Sequence, residues 1–321
     1  MTARFNENIS RSLDLGLQED YYSSLARLVR YRHKEKLIRE LVNHIGDSDR
    51  NMLTAEKKKS EMLLQTILPV SMIEELKEKG SVTPTHHENA IVLMTDFVGF
   101  TDLARYMSPR ELLKKLSVYF EEFGRILDRY RIEKVKTIGD ALLAVGGLQP
   151  GNKTAMVDCI LACMEMLAFV EKQRAEALAR GEEAWGMRCV LHSGSVVSGV
   201  VGHSKIAFDI WGFAVNVASR IEALAPEGKI TVSEAVYHRI RDFFDCDFAG
   251  EQELKGVGNR RIYSVSGFKP RLRHEAATPY VPNHIFGQLY GHMKAGDHIV
   301  YSDGKYRVFR RQKTTALTQA S

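Results

Sequence analysis

No run of apolar residues approaches the roughly 18 that a membrane-spanning helix needs. The opening stretch, MTARFNENISRSLDLG, lacks the apolar core of a secretion signal. Cysteine is scarce: Cys159, Cys163, Cys189 and Cys246 are the only four in 321 residues. Their spacing fits neither a zinc site nor a disulfide framework. Cys159 and Cys163 fall four apart on a predicted helix and read as core residues. A reduced, cytoplasmic protein is the expectation. Compositional bias is missing too: 44% apolar residues suffice for a core, and 26% charged residues make an ordinary surface. The length suits one domain with extensions or two small domains. The net charge of +5 is unevenly placed, because residues 267–321 hold nine Lys or Arg against three Asp or Glu. That segment reads as a solvated basic tail, and no nucleic-acid partner is expected.

Three regions emerge. Residues 1–80 are predicted helical, as a regulatory or dimerisation region. Tyr22, Leu25, Val29, Leu37, Leu41 and Ile45 recur at helical spacing. Such a thin apolar stripe needs a partner, so a coiled-coil dimer is expected there. TAEKKKSEMLLQTILP continues helical until Pro69, and SMIEELKEKG forms a short helix closed by Gly80. Residues 88–266 alternate strand and helix. AIVLMTDF is a buried strand ending in a charge. SPRELLKKLSVYFEEFGRILDRYR is an amphipathic helix with Ser108 as cap, Pro109 first and Glu111 third. IEKVKTIGDALLAVGG is a hairpin about a Gly-Asp turn. A second long helix closes at Gly181, and MRCVLHSGSVVSGVVG holds another strand, with KITVS and RRIYSV to follow. This order predicts an α+β, ferredoxin-like βαββαβ fold. Residues 267–321 form an extension whose GDHIVYSDGKYRVFRR reads as a hairpin turning at Asp303-Gly304. An isolated hairpin is marginal, so it must dock on something.

Two acidic positions stand out. The first strand ends at Asp96 and the first hairpin turns at Asp140, and in this strand order the two strands are expected neighbours. Converging carboxylates repel unless a cation joins them, and two carboxylates with open positions suit Mg²⁺. Two such ions can stabilise the attacking and leaving oxygens of an in-line displacement. After Asp96, Gly99 permits close backbone approach, and Phe100 and Thr101 open a helix whose free N–H groups can meet a polyphosphate. The plain alternative is an N-capping Asp96 and a turn Asp140. His192, beside SGS at a predicted strand end, reads as a packing or hydrogen-bonding histidine.

MTDFVGFTDLA, KTIGDALLAV, MRCVLHSGSVVSGVVG, FDIWGFAVNVASRIE and LKGVGNRRIYSV follow one another in an order and spacing that resembles the catalytic domain of class III nucleotidyl cyclases. LLQTILPVSMIEELKEKG also resembles the segment preceding such domains in signalling cyclases. The resemblance implies an adenylate cyclase making 3′,5′-cyclic AMP and pyrophosphate from ATP, with composite sites in a head-to-tail homodimer. It implies two Mg²⁺ or Mn²⁺ ions held by Asp96, Asp140 and the Phe97 carbonyl. It implies Arg188 on the terminal phosphate, Lys255 on the β- and γ-phosphates, Asn216 orienting the ribose and Arg220 at the α-phosphate. Lys136 and Asp209 match the purine-reading pair: a lysine donates to adenine N1 and an aspartate accepts from its amino group, whereas guanine presents the reverse polarity. Asn216 and Arg220, four apart, share a helix face. An upstream sensory partner acting through the N-terminal helices is implied as well. Two rival readings are a guanylate cyclase and a catalytically silent nucleotide-sensing or dimerisation module.

Overall fold

The run AIVLMT needs apolar cover on both sides, and the fold supplies it. In the computed structural model, which describes residues 34, 36, 54–65, 67–202, 206–274 and 280–310, this run lies within β1 (Thr85–Val98). Ala90 to Thr95 are all buried, as expected of a strand covered on both faces. The strand neither starts nor stops where the sequence suggests. Pairing with β4 (Gly186–Val201) extends from Thr85↔Ser198 to Val98↔Gly186, so Asp96 is an internal residue of the ladder and not its terminus.

The chain divides into two compact units, Met1–Leu68 and Pro69–Ser321. In the first, residues 54–65 are helical. The predicted stripe from Tyr22 to Ile45, and the coiled-coil reading attached to it, lie outside the described residues. The second unit opens with α1 (Val70–Lys79), ended by Gly80 in the left-handed conformation. After β1 come the short α2 (Phe100–Ala104) and α3 (Pro109–Arg129). Ser108 and Glu111 form the expected reciprocal capping box on α3. The hairpin β2 (Glu133–Ile138) and β3 (Ala141–Gly146) turns at Gly139-Asp140, and α4 (Ala155–Ala179) leads to β4. The sheet order over these four strands is β2-β3-β1-β4, all antiparallel. That is the predicted α+β, ferredoxin-like arrangement.

The rest extends this core. β5 (Ala207–Trp211) pairs with the far end of β4, and α5 (Phe213–Glu222) follows. β6 (Ile230–Ser233) runs parallel to β4, α6 (Glu234–Ile240) follows, and β7 (Phe244–Leu254) and β8 (Gly258–Phe268) complete the sheet. One face is covered by α3 and α4, whose buried residues form the main apolar cluster with Leu93, Leu142 and Leu191. The other face holds a smaller cluster built from Val190, Val217, Ile221, Ala225, Leu254 and Ile262.

The C-terminal segment docks where the sequence left open. α7 (His284–Ala295), capped by the Asn283 side chain, buries Phe286, Leu289 and Met293 in the main cluster together with Leu272. The hairpin β9 (His298–Ser302) and β10 (Lys305–Phe309) turns at Asp303-Gly304 as expected. Tyr306 stacks on Phe243 at 5.9 Å and donates to the Asp242 carbonyl at 2.6 Å. No helix among the described residues is long and apolar enough to cross a membrane.

Trp185, not singled out by its sequence context, is fully buried. Its ring lies 5.3 to 5.7 Å from those of Phe97, Phe100 and Tyr119. Trp185→Ala is expected to cost about 3–5 kcal/mol. A urea titration checks this, and a loss below about 1 kcal/mol would show that the cluster repacks.

Candidate active site

Two clusters form around the predicted residues. In the first, Asp96 on β1 lies directly opposite Arg188 on β4. Arg188 donates to Asp96 Oδ2 through Nε at 3.1 Å and Nη2 at 2.6 Å. Its Nε also lies 2.7 Å from Glu222 Oε1, an ion pair too far off the N–H axis to be a hydrogen bond. Asp140, at the β2–β3 turn, is close enough to feel Asp96 electrically. Partial burial and then the Asp96 charge push its carboxyl above the usual range. Burial raises the Glu222 carboxyl as well, with Arg188 opposing and Asp96 adding to the shift. Three carboxylates thus share one guanidinium, and the surplus is negative.

That surplus fits a divalent cation. No ready-made group of three or more His, Cys, Asp or Glu ligands occurs among the described residues. Two carboxylates with open positions is instead the donor set Mg²⁺ uses when phosphate oxygens and water complete its shell. Phe97 points its ring into the aromatic core, so only its backbone is available at the site. Gly99 caps α2 with φ 78°, a conformation costly for any side chain. Phe100 packs on Trp185, and Thr101 is exposed.

In the second cluster, Lys136 of β2 donates to Asp209 Oδ2 at 2.5 Å. The two are 73 residues apart, on the edge strand β2 and on β5 beyond β4. Coiling of the long β1–β4 ribbon, with its irregularity between His87 and Ala90, accounts for their meeting. Asp209 Oδ1 also accepts from the Ile210 amide, which fixes its orientation.

Asn216 and Arg220 lie one turn apart on the exposed side of α5, opposite the buried Ala214, Val217, Ala218 and Ile221. This helix is seated closely: a Cβ on Gly194 would lie 2.9 Å from Ala214 Cβ. Lys255 is exposed in the β7–β8 turn. No hydrogen bond or ion pair among the described residues joins Lys255, Asn216 or Arg220 to either cluster, nor one cluster to the other. Glu222 is the site residue that sequence reasoning missed. Its only signal was its place two residues after Arg220 on the same helix.

His192 is not at a strand end, as its flanking residues suggested, but inside the β4 ladder opposite Val92. Its Nδ1 is 2.8 Å from Ser233 Oγ. Burial, and secondarily Arg260, lower its pKa from the usual 6.5 to about 4. The unfolded chain therefore takes up this proton first, and stability falls as pH drops from 6.5 toward 4. The expected loss is about 3 kcal/mol. Urea midpoints across that window should fall more steeply for the native chain than for His192→Gln; parallel curves would refute the assignment.

Comparison with known proteins places the family of the domain that carries these residues. The family described as Adenylate and Guanylate cyclase catalytic domain matches residues 82–267. An adenylate cyclase of Mycobacterium tuberculosis is 34% identical over 222 residues, covering 68% of this chain and 48% of that protein. Human guanylyl cyclase C is 32% identical over 279 residues, covering 81% of this chain and 26% of that protein. This chain thus spans about half or less of these relatives' length. The crystal structure of the adenylyl cyclase CyaB from P. aeruginosa superposes with a TM-score of 0.54 at 25% identity, covering 57% of this chain and 96% of that one. The chain belongs to the class III nucleotidyl cyclases, through a catalytic domain of the adenylate and guanylate cyclase family.

Proposed function

We propose that this chain is an adenylate cyclase, forming 3′,5′-cyclic AMP and pyrophosphate from ATP at composite sites in a head-to-tail homodimer. The observation that carries the choice of ATP is the Lys136–Asp209 contact. Relatives include both adenylate and guanylyl cyclases, so family membership alone does not select the base. A lysine donor beside a carboxylate acceptor matches the acceptor N1 and donor amino group of adenine. Guanine presents a donor N1–H and an acceptor O6, and fails against both partners.

The residues divide the work. Asp96, Asp140 and the Phe97 carbonyl would hold a pair of Mg²⁺ or Mn²⁺ ions, which would supply charge neutralisation for the triphosphate and a lowered pKa for the ribose 3′-hydroxyl. Arg188 takes the terminal phosphate, and Lys255 the β- and γ-phosphates. From the partner subunit, Asn216 orients the ribose so that its 3′-oxygen lies in line with the α-phosphorus. Arg220 stabilises the charge that grows on the α-phosphoryl oxygens, its planar fork suiting two of them at once. No side chain near the clusters is placed as a general base. One chain carries the residues of both halves, and no hydrogen bond or ion pair among the described residues joins its two clusters, which supports a site completed by a second copy.

Mixing two inactive variants tests this arrangement. Asp96→Ala and Arg220→Ala each break both sites of their own homodimer. A mixed dimer keeps one intact site, so an equal mixture should regain about a quarter of native activity after subunit exchange. No recovery in folded, exchanging dimers would sink the composite-site reading. Cyclic GMP as the main product would favour a guanylate cyclase, and no product from either nucleotide a silent module.

A further inference from the structure

A cavity of about 260 Å³ lies between the end of α3, the start of α4 and α7, and none of the proposed cyclase residues lines it. Four cations line it: Arg129, Arg131, Lys153 and Lys294. The carboxylates nearby are already engaged. Asp158 is buried, its Oδ1 accepting from the Tyr290 hydroxyl at 2.5 Å and its Oδ2 from Thr154 Oγ1 at 2.7 Å. Glu165 accepts from Arg129 at 2.5 Å and from the Tyr130 hydroxyl at 2.5 Å. The side chains of Arg131 and Lys153 have no hydrogen-bond or ion-pair partner among the described residues. Lys294 rests 4.2 Å over the Tyr290 ring and has no carboxylate partner either. Three cations without an ion-pair partner, from three separate elements, therefore converge on one concavity against the single Asp158 carboxylate, and the surplus is positive.

The positive end of α4 adds to the same field. Arg131 has φ 55°, in the left-handed region that a side chain enters at a cost of about 1 kcal/mol. The volume falls below the roughly 300–1,000 Å³ of sites for drug-sized organic ligands, which suits a compact anion and not a nucleotide. Guanidinium and ammonium groups together match phosphoryl oxygens, the arginine by its fork and the lysines as point charges.

We propose that this cavity binds a compact phosphoryl anion, of orthophosphate to diphosphate size, which ties α7 of the basic C-terminal segment to the α3–β2 junction and the start of α4. The inference rests on geometry and charge alone and does not depend on the cyclase reading. The test is a thermal melt of the full chain carrying Arg188→Ala, Arg220→Ala and Lys255→Ala, so that the side chains proposed to hold phosphate at the cyclase site are absent. Sodium phosphate and sodium diphosphate are titrated separately in metal-free buffer, with ionic strength held constant by chloride. A saturable rise in Tm is expected. Adding Arg131→Gly and Lys153→Gln should raise the half-saturating concentration at least tenfold. Arg131→Gly keeps the fold because glycine is at ease at this φ, and Lys153 is an exposed side chain. A response no greater than that to chloride, or equal half-saturation in the two proteins, would overturn the proposal.

Discussion

Asp96→Asn is expected to lower cyclase turnover by about three orders of magnitude with either Mg²⁺ or Mn²⁺, while leaving the fold intact. The asparagine has the shape of the aspartate, and the side chain is only partly exposed beside Arg188 and Asp140. What the substitution removes is charge. Asp96 is one of two carboxylates proposed to hold the ions, and it is the one directly opposite Arg188 in the ladder. Without it, the negative surplus that would attract a dication falls, and Arg188 is left to Glu222. Asp140 would ionise more readily once its neighbour is neutral, since the Asp96 charge is part of what raises it. That gain is no substitute for a lost ligand. Turnover measured with both metals, alongside the melting temperature, gives the answer. Near-native turnover in Asp96→Asn would show that two-carboxylate ion binding is not how this chain works.

The second large effect concerns the choice of base. Lys136→Glu alone would set a carboxylate against Asp209 across a 2.5 Å contact. Two like charges there serve neither purine, so activity should fall with both nucleotides. Combining Lys136→Glu with Asp209→Ser reverses the polarity: the glutamate accepts from guanine N1–H, and the hydroxyl can donate to O6. A site built around particular donors and acceptors rejects the analogue that lacks them by about 10⁴-fold or more. Allowing for imperfect placement of the new pair, the GTP-to-ATP ratio of kcat/KM should rise by about 10³-fold. Initial rates for both nucleotides test this directly. An unchanged ratio would mean that Lys136 and Asp209 pair for structural reasons only.

Much of this was legible in the residues themselves, and the exceptions have physical causes. The Ser108–Glu111 box, the Gly139-Asp140 and Asp303-Gly304 turns and the apolar run of β1 are local signals, and each appears where local chemistry puts it. Asp96 and Asp140 were foreseen as neighbours because strand order in a split βαβ unit leaves little choice. The meeting of Lys136 and Asp209 was not derivable from pattern, because it depends on how a 14-residue and a 16-residue strand coil around each other. β5 escaped notice since AFDIW is short and leaves Trp211 partly exposed. Glu222 looked like any helix-surface acid until α5 was seated against β4. α7 was overlooked because Gly287 and Gly291 interrupt an otherwise apolar helix.

The docking of α7 separates two meanings of the word domain. The stretch that the cyclase family matches closes at residue 267. The apolar core does not: Leu272, Phe286, Leu289 and Met293 belong to the same cluster as α3 and α4. What matches the family and what folds as one piece have different lengths here. Cutting the chain at residue 267 would leave the partners of those four side chains facing water, with aggregation as the natural outcome. Any shortened version meant to behave like the whole should run at least to Phe309.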